Sequence, residues 1–213
     1  MNERRVSPNS VYVATKNLGK LAELRAIFGD HAWVAVSFPG YREVAEGTAS
    51  YAENAALKAR GLRADLASAG ICAAVIGDDS GLEVRGLDGR PGILSARYGG
   101  DATWAQRRRL LLDELHAAGP VSRAARFVCA LHFIAANGTE HCGQAELDGA
   151  ITETERGDGG FSYDAIFRPL GESRTFAEFS ETEKNACSHR SIAVRRLLEA
   201  VDAVEAKPRH TGT

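Results

Sequence analysis

The chain reads as an α/β protein built on a mixed sheet, and three observations carry that reading. Short apolar runs rich in β-branched residues alternate with longer stretches whose apolar residues recur at helical spacing. The first strand-like run feeds a helix through a short polar turn. At least one antiparallel hairpin, marked by Asn137-Gly138, interrupts the alternation and makes the sheet mixed.

Taken in order, "VYVAT" (residues 11–15) predicts a strand, after which Asn17 can cap a helix that buries Leu21, Leu24 and Phe28. Ser50 and Glu53 have capping-box spacing at the head of a second helix, with Tyr51, Ala55, Ala59, Leu62 and Leu66 on one face. "ICAAVIG" (71–77) predicts a buried strand that ends just before Asp78 and Asp79, so both acids are expected at a strand's C-terminal edge. Trp104, Leu111, Leu112 and Leu115 mark a third helix, whose Arg107, Arg108 and Arg109 read as a solvated face. "RFVCALHFIA" (126–135) predicts a long strand, turned at Asn137-Gly138 onto a partner near residues 141–147. The last helix begins near Ser188 and is expected to bury Ala193, Leu197, Ala200 and Val204. Residues 1–9 and 206–213 read as flexible ends. With no internal repeat and no Pro- or Ser-rich linker, a single domain over 1–213 is expected, and nothing in the sequence marks a split into two lobes.

Composition narrows the function classes. An apolar share of 44% suffices for an ordinary core. Lys plus Arg (26) nearly balance Asp plus Glu (28), which excludes the global positive field that holds a nucleic-acid backbone. No polymeric nucleic acid is expected as a partner, and any nucleotide specificity has to be local. No apolar run approaches the roughly 20 residues of a bilayer-spanning helix, and "MNERRVSPNS" lacks a signal core, so no membrane partner and a cytoplasmic location are expected. Cys72, Cys129, Cys142 and Cys187 show no C-x-x-C spacing and are expected to be reduced, buried thiols.

Four polar clusters fall near element ends. In "TKNLGK" (15–20), a helix N-terminus with free N–H groups is joined by the charge of Lys20, a combination that attracts phosphate. It is not a Walker A loop, whose first glycine and final hydroxyl are both missing. Glu46, Glu53, Asn54 and Lys58 surround the start of the second helix; Asn54 and Lys58 share a face, though alone the set reads as surface ion pairs. Asp78, Asp79 and Ser80 precede a series of glycines. Paired acids repel and lose hydration, so they call for a compensating cation such as Mg²⁺ on oxygen ligands. "GLDGRPG" is G-x-x-G-x-x-G and opens no helix directly after a strand, which excludes a dinucleotide-binding turn. In the last cluster Phe161 and Tyr163 follow a glycine turn, while Lys184, His189 and Arg190 gather near a helix start. Aromatic faces stack on bases, and such cations donate to carbonyls or phosphates.

In this order the clusters resemble the Ham1-like inosine/xanthosine triphosphate pyrophosphatase family, hydrolases of deaminated purine nucleotides. The resemblance rests on "ATKNLGKLAEL", "YAENAALKA", "DDSGLEVRGLDGRPGILSARYGG", "GGFSYDAIF" and "EKNACSHR", and covers nearly the whole chain. It implies a long mixed central sheet with helices on its faces, two lobes around an active-site cleft, and a homodimer. It also implies Mg²⁺-dependent hydrolysis of ITP, dITP or XTP to the monophosphate and pyrophosphate, which cleanses the nucleotide pool. Carried over by position, Thr15, Lys16, Asn17, Leu18, Gly19 and Lys20 would bind the triphosphate, and Glu46 and Asp79 would hold the metal. Asp79 would also act as general base. Ser80, Phe161, Ser162, Tyr163, Asp164, Lys184, His189 and Arg190 would contact the nucleotide.

Base choice follows from ring edges. Hypoxanthine and xanthine present an O6 acceptor where adenine presents an N6 donor, so donors from Lys184, His189 and Arg190 are expected to favour oxo purines. A mismatched edge costs about 1–3 kcal/mol for each unpaired group. Guanine keeps O6, so its exclusion depends on the 2-amino group. Two residues depart from the family: Ser162 stands for a glycine and Ala165 for a proline, while Lys16 adds charge at a position where the family varies. Ser162 and Ala165 keep open a specialised pyrophosphohydrolase for another nucleoside triphosphate, and a separate alternative is a non-catalytic nucleotide sensor that uses the same pocket for binding alone.

Overall fold

Asn17 starts the first helix as its sequence position predicts: its Oδ1 accepts from the Lys20 N–H at 3.2 Å and its carbonyl from the Leu21 N–H at 3.1 Å. The computed structural model describes residues 9–29, 31 and 33–205. In chain order the elements are β1 (Ser10–Ala14), α1 (Leu18–Gly29), β2 (Val34–Val36), α2 (Tyr51–Ser68), β3 (Ala74–Val84), β4 (Pro91–Gly92), α3 (Trp104–Ala117), β5 (Ala124–Ile134), β6 (Glu140–Ile151), β7 (Phe167–Pro169), α4 (Glu181–Cys187) and α5 (His189–Glu205). The sheet runs β2-β1-β3-β5-β6-β7, with β4 added to β3. β1 is parallel to β2 and β3, and the remaining pairs are antiparallel. This is the mixed α/β sheet that the sequence predicts.

The principal correction concerns β3. It does not stop before Asp78 but continues to Val84, pairing with β5 from Val75 opposite Ile134 to Val84 opposite Ala125. Both acids therefore lie in mid-strand. A polar Asp-Asp-Ser run stays extended here because each residue is paired across the ladder and each side chain meets donors on its own face of the sheet. Successive strand residues point to opposite faces. Val75 packs with Ala59, Leu62 and Leu66 of α2, whereas Ile76 packs with Leu24 and Phe28 of α1 and Leu197 of α5. Gly77 lies beneath α2 so closely that a Cβ would stand 2.0 Å from the Ala55 carbonyl oxygen. That contact permits only glycine.

Three apolar clusters share the long strands: one packs α1 and α5 on one face of the sheet, and a second packs α2 on the other. The third gathers Leu82, Val84, Leu111, Leu115, Phe127, Ile166, Phe167 and Phe176 around the far ends of β3 and β5. Burying a Leu or Phe of this kind contributes about 1.5–3 kcal/mol, so each core is a sizeable apolar nucleus. A cavity borders the third, which contributes Leu82, Phe127 and Tyr163 to its lining.

Smaller differences have local causes. The short helix α4 was not expected; Ser180 caps it reciprocally with Glu183. Ser50 accepts from the Glu53 N–H at 3.1 Å, one half of the expected capping box. Arg107 and Arg108 are not a solvated face: Arg107 binds the carbonyls of Tyr98 and Gly100, and Arg108 reaches across to Ser162 and Glu155. The cysteines are free thiols as expected, but only Cys129 is buried, whereas Cys72 and Cys142 are exposed. Asn9, expected as part of a loose end, accepts from the Val34 N–H at 3.0 Å. Residues 1–8 and 206–213, and the Val204 side chain, lie outside the described residues.

Candidate active site

Adjacent positions on β3 send the two acids in opposite directions. Asp78 faces α1 and α5. Its Oδ1 binds Lys20 Nζ at 2.6 Å and its Oδ2 accepts from Arg190 Nε at 2.7 Å. Burial penalises its charge, but Arg190 and Lys20 outweigh that penalty and hold the carboxyl far below the usual carboxylate range. Arg190, itself buried, also pairs with Glu23 and donates to Ser80 Oγ at 3.0 Å. Lys184 extends the network, pairing with Glu23 and with Asp164 Oδ2 at 2.5 Å. Glu23 is buried too, and the two cations overcome its burial and keep its pKa low. Cations and carboxylates thus alternate through the protein, each charge held by an opposite one.

Asp79 faces α2. Its Oδ1 binds Lys58 Nζ at 2.7 Å, and its Oδ2 accepts from Asn54 Nδ2 at 3.1 Å. Asn54 Oδ1 in turn accepts from the Gly47 N–H at 2.8 Å, which fixes the loop carrying Glu46. The Lys58 ammonium also contacts Glu46 Oε1 at 2.5 Å, while Arg97 lies 3.4 Å from the other oxygen. For Asp79, burial exceeds the attraction of Lys58 and Lys20 and raises its pKa. For Lys58 the balance is reversed: burial opposes its charge, yet Asp79 and Glu46 together hold the ammonium protonated.

Glu46 and Asp79 are the carboxylates here that could hold a hard divalent cation. Two carboxylates already converge on one positive centre, and the donors are all oxygen. Among the described residues no group of three or more His, Cys, Asp or Glu side chains is disposed to hold a metal.

The opposite wall is aromatic. Asp164 Oδ2 accepts from the Phe161 N–H at 2.7 Å, and Lys184 Nζ lies 4.7 Å from the centre of the Phe161 ring. The same ring rests on the first turn of α1, where a Cβ on Gly19 would come within 2.6 Å of it. His189 stacks on Phe127 with centroids 4.6 Å apart and planes 11° from parallel. Burial, then the charges of Arg190 and Lys184, push its pKa well below the ordinary histidine value, so the ring is neutral at pH 7. Its Nδ1 is buried and has no partner among the described residues. Tyr163 is fully buried, with its hydroxyl donating to the Ser95 carbonyl at 3.0 Å. Ser162 has φ +59°, in the left-handed region where a Cβ costs about 1 kcal/mol or more.

Asn17, Lys20, Glu46, Asp79, Ser80, Phe161, Ser162, Tyr163, Asp164, Lys184, His189 and Arg190 line one cavity, together with Lys58, Trp104 and Phe127. Thr15, Lys16, Leu18 and Gly19 lie outside that lining. Thr15 Oγ1 accepts from the Asn17 N–H at 3.0 Å, Lys16 faces Glu43 at 3.8 Å, and Leu18 is 79% exposed. The expected donor set is less free than its residue types suggest, since Arg190 directs three N–H groups to Asp78, Glu23 and Ser80. Glu23 is absent from the polar clusters of the sequence, and Asp78, Asn54 and Lys58, present in them, are given no role in the expected site. Glu23 carries a usable signal, lying three residues after Lys20 on the same helix face. Asn54 and Lys58 are no surface ion-pair set; Asn54 is 1% exposed.

Comparison with known proteins gives a consistent result. The sequence profile of the Ham1 family matches residues 11–200. A dITP/XTP pyrophosphatase of Geobacillus kaustophilus is 42% identical over 193 residues, covering 89% of this chain and 92% of its own. One from Thermus thermophilus is 40% identical over 193 residues, with 89% and 90% covered. Among solved structures, a HAM1 protein from Coxiella burnetii superposes with a TM-score of 0.77 at 31% identity, covering 92% of this chain and 99% of its own. The Staphylococcus aureus Ham1 protein gives 0.74 at 32% identity, with the same coverage.

Proposed function

Because the chain belongs to the Ham1 family, we propose that it hydrolyses deaminated purine nucleoside triphosphates, dITP, ITP and XTP, to the monophosphate and pyrophosphate. The observation that carries this reading is the shared grip of Glu46 and Asp79 on one ammonium beside Lys20, in a cavity whose far wall is Phe161, Lys184 and His189. Lys20, on the first turn of α1, receives the phosphates and stabilises charge that develops on them. Glu46 and Asp79 would hold Mg²⁺, which when bound neutralises the polyphosphate and acidifies an adjacent water. Burial makes Asp79 more basic than an exposed carboxylate, which suits it to orient the attacking water and accept its proton.

Phe161 offers its ring to the base. Neutral His189, with the N–H groups that Lys184 and Arg190 do not give to carboxylates, reads the purine edge. The homodimer, the single catalytic unit over the chain and the cytoplasmic location belong to the same reading. Among the described residues no helix is long and apolar enough to cross a membrane.

Incubation of the purified protein and Mg²⁺ with ITP, XTP, GTP, ATP and the pyrimidine triphosphates tests the proposal. Pyrophosphate released fastest from ITP and XTP is expected, and release of orthophosphate instead would contradict it. Ser162, which brings a hydroxyl and a left-handed backbone to the cavity, favours a second reading, a specialist for another nucleoside triphosphate. Comparable efficiency on a standard nucleotide would support that one. Tight binding without turnover in any divalent metal would leave a sensor.

A further inference from the structure

Arg108 occupies a place that the pattern of α3 reserves for an apolar residue. Trp104, Leu111 and Leu115 define the inward face of that helix, and Arg108 falls between them. Its side chain is 17% exposed, and its Nε is buried without a partner among the described residues. A guanidinium so placed needs a reason, and its contacts supply one. Nη1 donates to the Ser162 carbonyl at 2.8 Å, and Nη2 pairs with Glu155 at 2.9 Å. Glu155 lies on the segment that leads into the Phe161 turn, and Ser162 lies in the turn itself.

That turn is under backbone strain. Ser162 sits at φ +59°, which glycine adopts freely and L-residues avoid. Neighbouring bonds fix its flanks, from the Phe161 N–H to Asp164 and from the Tyr163 hydroxyl to Ser95. Arg108 holds the Ser162 peptide itself. We propose that Arg108 is a positioning residue for nucleotide recognition: its grip on the Ser162 carbonyl keeps the strained turn, and with it the Phe161 ring over Gly19, in the form that receives the base. The inference rests on the nucleotide reading of the cavity and adds a chain-specific demand. Because position 162 carries serine at φ +59°, where glycine would sit without strain, the clamp supplies what the backbone alone would not.

A double-mutant cycle tests this. Arg108→Met, Ser162→Gly and the double variant are compared in steady-state hydrolysis of the triphosphate the protein cleaves best, and in thermal melting. With Ser162 in place, Arg108→Met is expected to raise KM about tenfold, as for loss of one charge-assisted hydrogen bond, with kcat within about threefold. In the Ser162→Gly background the same replacement should raise KM about twofold or less. Equal effects in the two backgrounds overturn the proposal. So does a fall in melting temperature with no separation of KM from kcat.

If Arg108→Met does not fold, Glu155→Gln loosens the clamp more gently. A KM rise of about two- to threefold, abolished by Ser162→Gly, is then expected, and an unchanged KM overturns the proposal. If no variant and not even the parent releases pyrophosphate from any purine triphosphate, the functional reading falls. Coupling of the melting temperatures at 108 and 162 then still decides the clamp.

Discussion

Asp78→Asn preserves shape and removes a single charge that Lys20 and Arg190 share at 2.6 and 2.7 Å. Removing one partner of a buried ion pair costs about 3–5 kcal/mol, because it leaves a charge uncompensated. Here Glu23 still pairs with Arg190 and the amide oxygen can still accept, so the low end, about 3 kcal/mol, applies. In a chain of this size each kcal/mol moves the melting temperature by about 2–4 °C, which gives a fall of about 6–12 °C at pH 7. The sign of the pH dependence follows from linkage. A carboxyl whose folded pKa is depressed contributes stability that is fully present above its unfolded pKa, about 3.9, and lost as pH falls toward the folded value. The gap between parent and variant should therefore stay constant from about pH 5 to 8 and narrow below about pH 4. Thermal melts followed by circular dichroism across that range measure it. A gap under about 2 °C at pH 7, or one that widens in acid, would refute the role of Asp78 as the charge that holds Lys20 and Arg190 together.

The neighbouring acid should behave in the opposite way. Asp79→Asn is expected to lower kcat by about 10²–10⁴ while the metal-free protein melts within about 3 °C of the parent, because burial already penalises that charge and Lys58 keeps Glu46. Turnover near the parent's would remove Asp79 from the role of base, and a melting loss as large as that of Asp78→Asn would contradict the division between the two acids. Gly77→Ala drives a methyl group to 2.0 Å from the Ala55 carbonyl oxygen, backbone against backbone. Overpacking of this kind costs about 1–3 kcal/mol or more, so insoluble protein or a melting temperature lower by at least about 2 °C is expected; a parent-like melt would mean that α2 does not rest on β3 there.

Where local signals and tertiary packing agree, the fold was legible. Asn17 with Leu21, Leu24 and Phe28 specified α1, and Asn137-Gly138 specified the hairpin of β5 and β6. β3 was cut short in the sequence reading because adjacent acids look like a turn until the cations that face them from two sides of the sheet are known. α4 is only seven residues long, yet Ser180 and Glu183 have capping-box spacing, a signal that could have found it. At the site, the residue types pointed to phosphate, cation and base, but the pairing did not show. Nothing local says that Lys58 bridges Glu46 and Asp79, or that Glu23 shares Arg190 and Lys184, since these contacts join elements far apart in sequence. The left-handed backbone of Ser162 was hidden for the same reason: serine gives no hint of it.

One peptide step along β3 separates a framework anchor, Asp78, from the proposed base, Asp79. The strand keeps them apart through parity alone, odd-numbered side chains looking one way and even-numbered ones the other. A residue inserted between Gly77 and Asp78, with the ladder held on the Gly77 side, would turn Asp78 toward Lys58 and Asp79 toward Arg190, leaving composition nearly intact and both assignments inverted. The long ladder to β5, from Val75 to Val84, therefore acts as a ruler, and its reading frame decides which acid does which work.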